Sequence, residues 1–135
     1  MNKSVVIAVD AMGGDNSPNK IIKGISEFLK KNTNIYFRIF GQKSKIKEQI
    51  NKLNIGSEFY EIIDCEDVVD NNDTPLTAAK KKNTSMWQAI NDVKEKKSNV
   101  IISAGNTGAL FVISKLNMKM IDNISKPALA ALWPN

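Results

Sequence analysis

Two short loops hold the residues whose types and spacing could do chemistry. The first is Met12-Gly13-Gly14-Asp15-Asn16-Ser17-Pro18 and the second is Ser103-Ala104-Gly105-Asn106-Thr107-Gly108. Each follows an apolar run and precedes a stretch with helical spacing. Backbone amides at the start of a helix suit an anion, phosphate above all, because first-turn N–H groups lack partners and the helix dipole favours negative charge there. Neither loop is a Walker P-loop, since the glycine spacing and the terminal Gly-Lys-Ser/Thr are absent. Neither carries the dinucleotide pattern G-x-G-x-x-G either, because Gly13 and Gly14 are adjacent while Gly105 and Gly108 stand apart. By spacing alone, ordinary strand-to-helix turns remain the simpler reading.

Other chemistries are narrowed by composition. With no histidine, a serine-histidine-acid triad cannot be assembled. Cys65 is alone, which rules out an internal disulfide and fits a reducing compartment. At a strand end it reads as a small buried hydrophobe rather than a nucleophile. Asp10 and Asp15 bracket the first loop without a known metal spacing, so no metal and no cofactor are expected. Lys80, Lys81 and Lys82 form either a solvated face or a substrate patch. Trp87 and Trp133 are expected to pack a core or a subunit contact. The formal charge of +5 comes almost wholly from lysine, with Arg38 the sole arginine. A field of that size suits acidic or phosphate-bearing partners, and it also occurs on proteins with no such role. Nucleic acid is not expected as a partner, for no motif of interleaved arginines and aromatics is present.

The elements that must position these loops follow from periodicity. Val5 to Ala11 is an apolar, β-branched run broken only by Asp10, the pattern of a strand covered on both faces. Ser17 and Pro18 predict a helix start, a capping hydroxyl followed by a residue that needs no amide hydrogen. The helix then runs from about Pro18 to Lys31, with Ile21, Ile25, Phe28 and Leu29 on one face and Ile22 beside them. A strand is predicted over Ile35 to Gly41, a helix over Ser44 to Leu53 and a strand over Glu58 to Asp64. After the acidic Glu66 to Asn72 stretch, Thr74-Pro75 begins a short helix, and another runs from Ser85 to Lys96. Val100 to Ser103 is expected to be a buried strand, followed by a helix from Ala109 to Met120. This alternation predicts an open, mostly parallel α/β sheet with helices on both faces, Rossmann-like. No stretch reaches the roughly 18 apolar residues of a membrane span, which places the chain in the cytoplasm and leaves contact with a membrane surface open. Residues 128 to 134 read as the approach to a further strand, and the chain is expected to be truncated at Asn135.

Recognition adds to this reading. Val9-Asp10-Ala11-Met12-Gly13-Gly14-Asp15, with Ser17-Pro18 after one residue, resembles the opening motif of the bacterial phosphate acyltransferases of phospholipid synthesis. Asp73-x-Pro75, then Ala79 and Lys81-Lys82-x-x-Ser85-Met86, resembles that family's middle motif. Ser103-Ala104-Gly105-Asn106-Thr107-Gly108-Ala109 is similar to its most distinctive signature, and Pro127-Ala128-Leu129-Ala130 falls at the matching distance beyond. Asn16, Lys80 and Lys126 depart from the family pattern. Lysine for arginine keeps the charge and loses the two-pronged geometry.

The resemblance implies transfer of a fatty acyl group from acyl carrier protein to inorganic phosphate. The acyl phosphate would then serve a membrane glycerol-3-phosphate acyltransferase. It also implies a homodimer whose fold is related to phosphotransacetylases and isocitrate/isopropylmalate dehydrogenases, with residues 1–135 the amino-terminal part of a single α/β catalytic domain. On this basis Asn106 and Thr107 are the candidate catalytic residues. Gly13, Gly14, Asp15, Ser103, Gly105, Gly108, Lys81 and Lys82 are candidate phosphate or substrate contacts, and Asp10, Ser17 and Pro18 have structural or orienting roles. A coenzyme A-dependent phosphate acyltransferase, or an inactive fragment or binding module, is the alternative.

Overall fold

The computed structural model describes residues 5–132. Its centre is a fully parallel sheet of four strands in the order β3-β2-β1-β4. The strands are β1 (Val5–Asp10), β2 (Ile35–Gly41), β3 (Tyr60–Asp64) and β4 (Val100–Ser103). The helices are α1 (Asn19–Leu29), α2 (Lys43–Lys52), α3 (Pro75–Lys80), α4 (Ser85–Lys94) and α5 (Thr107–Asn117). The predicted α/β class, parallel sheet and helices on both faces are all observed.

Alternation along the strands divides the core. Ile7 and Val9 of β1, with Phe37 and Ile39 of β2, meet Ile22 and Ile25 of α1 and Ile46 and Ile50 of α2. Ala8 and Phe40 point the other way, onto Ala89 of α4 and Cys65. A third cluster joins α3, α4 and α5 through Ala78, Met86, Ile90, Ala109 and Ile113, with Trp87 packed against it. Each fully buried Ile or Met contributes about 1.5–3 kcal/mol through the water it excludes.

Two expectations are corrected. β4 is an edge strand, and Val100 and Ile102 are 44% and 50% exposed. Their register partners Ile7 and Val9 pack in the cluster with α1 and α2, whereas Val100 and Ile102 lie outside it. Its other face, with Ile101, is the one that packs. Ser17 does not cap α1, for its Oγ donates back to the Gly13 carbonyl at 2.5 Å and α1 has no side-chain cap. Residues 128–132 are irregular and exposed, and a strand that they approach would fall outside the described residues. Trp133 and Pro134 lie outside the described residues.

Candidate active site

Parallel register brings Asp10 of β1 opposite Ser103 of β4, so both loops leave the same edge of the sheet. The strand order also reverses here: the chain steps outward from β1 to β3, then returns to the far side of β1 as β4. In open α/β sheets such a reversal opens a crevice beyond the carboxyl ends of the strands, where ligands bind.

Asp10 ties the crevice together. It is 1% exposed. Its Oδ1 accepts from Ser85 Oγ at 2.6 Å and from the Met12 amide at 3.2 Å, and its Oδ2 accepts from Ser103 Oγ at 2.7 Å. Ser103 Oγ in turn accepts from the Gly105 amide at 3.1 Å. One carboxylate thus fixes the end of β1, the start of α4 and the loop after β4. Buried carboxylates persist when donors replace the lost water, and three donors do so here.

The glycines let the loops press together. A Cβ built on Gly13 would lie 2.7 Å from Asp10 Oδ2 and 2.8 Å from the Gly105 nitrogen. Gly14 has φ of 81°, and a Cβ there would lie 2.5 Å from the Ala104 carbonyl oxygen. Side chains are excluded at Gly13 by contact and at Gly14 by contact and conformation together.

Asn106 caps α5. Its Oδ1 accepts from the Ala109 amide at 3.0 Å, and its Nδ2 donates to the Asp73 carbonyl at 3.3 Å. The amides of Thr107 and Gly108 belong to the first turn, where no intrahelical acceptor exists. Thr107 is exposed beside them. Lys81 Nζ, 40% exposed, donates to both oxygens of Asp73 at 2.7 and 2.8 Å. Those bonds, and then the bond from the Asp70 amide, hold the Asp73 carboxyl below its ordinary value.

The structure therefore gathers Asp10, Gly13, Gly14, Ser103, Gly105, Asn106, Thr107 and Gly108 around the crevice, with Lys81 joined to Asn106 through Asp73. It leaves Asp15 and Lys82 exposed on the surface. Among the described residues Asp15 has no hydrogen-bond or ion-pair partner, and Lys82 contributes its carbonyl to Gln88 Nε2. Pro18 is buried at the start of α1. Ser85 and Asp73 join the site although periodicity gave no reason to single them out. Their signal lay in the middle block, where Asp73-x-Pro75 and Ser85 occur together. Cys65, 3% exposed, points into the core, and burial pushes its thiol up to about 11, as expected of a packed hydrophobe.

Sheet and site together define an α/β protein with a glycine-lined crevice at the carboxyl edge of a parallel sheet. Comparison narrows the class: the chain belongs to the fatty acid synthesis protein family, matched over residues 5–135. It is 63% identical to the phosphate acyltransferase of Pelagibacter ubique over 100% of this chain and 40% of that protein. It is 42% identical to the phosphate acyltransferase of Neorickettsia sennetsu, over 99% of the chain and 40% of the relative. For that of Clostridium acetobutylicum the figures are 40% identity over 96% and 40%. The chain spans about two fifths of the length of these relatives. The resemblance seen in the four motif blocks is borne out.

Proposed function

We propose that this chain is the amino-terminal part of an α/β catalytic domain that transfers a fatty acyl group from acyl carrier protein to inorganic phosphate. The observation that carries the reading is the crevice itself: two glycine loops in contact at a strand-order reversal, beside the Thr107 and Gly108 amides at the start of α5, whose Asn106 cap engages only the Ala109 amide. Identity of 63% to a phosphate acyltransferase supports the same reading.

In the proposed reaction a phosphate oxygen attacks the thioester carbonyl. The tetrahedral intermediate collapses with loss of the carrier thiolate, which takes up a proton, leaving acyl phosphate and free carrier protein. Phosphate is already a competent oxygen nucleophile, so the protein needs to place it and stabilise the oxyanion. The amides of Thr107 and Gly108 and the Thr107 hydroxyl are the proposed contacts, and the Lys81 ammonium is a further proposed donor to the phosphate. Asn106 holds the loop, because both ends of its side chain are engaged. Asp10 and Ser103 fix the loop from beneath, away from a phosphate that a carboxylate would repel.

The finer fold proposed is Rossmann-like, akin to phosphotransacetylases and isocitrate/isopropylmalate dehydrogenases. The wider setting proposed is a cytoplasmic homodimer that hands acyl phosphate to a membrane glycerol-3-phosphate acyltransferase. Among the described residues no helix is long and apolar enough to cross a membrane.

The test is phosphate-dependent thiol release from a long-chain acyl carrier protein. It uses this chain joined to the remainder of the Pelagibacter ubique relative, with that relative as control. Release comparable with the control is expected. A folded chimera without release, beside an active control, overturns the reading, and release only from acyl-coenzyme A moves it to a coenzyme A-dependent enzyme.

A further inference from the structure

The segment before α3 carries a residue that the proposed reaction leaves unused. Asp73 accepts from Lys81 Nζ through both carboxylate oxygens and from the Asp70 amide at 2.9 Å. Its side chain is 10% exposed against 40% for Lys81. The carboxylate is therefore the anchored member of the pair and the ammonium the accessible one. The same segment is fastened twice to the start of α5. The Asp73 carbonyl accepts from Asn106 Nδ2, and Pro75 lies so near Gly108 that a Cβ there would stand 2.9 Å from Pro75 Cγ.

We infer that Asp73 is a positioning residue, which holds the Lys81 ammonium beside the amino end of α5 for an incoming oxyanion. The inference rests on the proposed function, in which that oxyanion is inorganic phosphate. A lysine ammonium has three N–H donors. Two go to Asp73, and the third is left for the ligand. The pair is neutral as a whole, so what it supplies is placement. A lysine on a free four-carbon stem samples many rotamers, and anchoring its end removes that freedom before the anion arrives.

The experiment measures phosphate KM, kcat and melting temperature in the chimera described above. Lys81→Met is expected to raise phosphate KM roughly tenfold, the loss of one charge-assisted contact. Asp73→Asn is expected to raise it by a similar factor. The double variant is expected to be no worse than the more affected single one, because Asp73 acts through Lys81. Additive effects, or an Asp73→Asn loss confined to kcat and melting temperature, would mark Asp73 as structural only and overturn the inference. So would an unchanged phosphate KM in Lys81→Met, which leaves the Asp73 bonds to Asn106 and Asp70 intact and keeps the test open if Asp73→Asn does not fold. Absence of release in the unsubstituted chimera sinks the functional reading itself, whereas release with additive variants sinks this inference alone.

Discussion

Gly13 and Gly105 meet backbone to backbone across the crevice: a Cβ built on Gly105 would lie 3.2 Å from Gly13 Cα, and one on Gly13 would lie 3.0 Å from Gly105 Cα. Gly13→Ala is therefore expected to force the loops apart against backbone atoms that cannot rotate away. Overpacking of this kind costs about 1–3 kcal/mol. Thermal melting reads the loss. Gly24→Ala is the control, since a Cβ there meets nothing within 4 Å and helix propensity favours alanine by about 0.8–1.0 kcal/mol. A Gly13→Ala melting temperature equal to that of the unsubstituted chain would show that the loops are not in contact in solution.

Ser85 and Ser103 donate to the same buried carboxylate from opposite sides. Each serine-to-alanine change leaves an Asp10 oxygen short of a donor, at about 1–3 kcal/mol. Ser103→Ala also strips the Gly105 amide of its acceptor and is expected to be the worse of the two. Because the partners share one group, the double variant should depart from the sum of the singles. Denaturant titration of the four proteins supplies the comparison, and strict additivity would mean that Asp10 does not couple them.

At Asn106 structure and binding can be separated. Asn106→Ala removes the α5 cap, which costs about 1 kcal/mol. Asn106→Asp keeps the acceptor for the Ala109 amide but loses the donor to Asp73 and adds a negative charge at the proposed phosphate position. We expect the aspartate variant to melt nearer the parent than the alanine variant, yet to have the higher phosphate KM in the chimera. If both measurements rank the variants in the same order, Asn106 has no bearing on the anion beyond stability.

Cys65 gives a pH signature. Its thiol is raised from the ordinary value of 9.0 to about 11 in the folded chain, chiefly by burial. The unfolded chain thus gives up this proton first as pH rises. The contribution to stability is whole below about pH 9 and declines through the window up to about 11. Iodoacetamide at pH 8 should leave the native thiol intact and label it in urea. Rapid labelling of the folded chain would contradict the burial.

Much of the fold was legible because apolar periodicity is local. β2 and β4 have their predicted bounds, and the Thr74-Pro75 start of α3 is observed with Thr74 Oγ1 accepting from the Thr77 amide. The same reasoning failed at Val100 and Ile102, since an apolar run does not reveal whether a helix will cover it. Ser17 was misread for a related reason. Its hydroxyl had a choice between the helix amides and the Gly13 carbonyl, and the folded turn decides it. The candidate site was visible as loops and not as a network. Ser85 reaches Asp10 across 75 residues of sequence, a distance no spacing rule spans.

That separation has a consequence for how the molecule comes into being. Ser103 and Asp10 are 93 positions apart, as are Val6 and Asn99, which join β1 to the start of β4. Closing so large a loop carries an entropy penalty that local hairpins and helices avoid, and pairings of this kind slow folding. The hydrogen bonds that complete the sheet and those that shape the crevice form in the same closure. A nascent chain synthesised only as far as α4 has no β4 to pair with, and so no pocket for an anion to find.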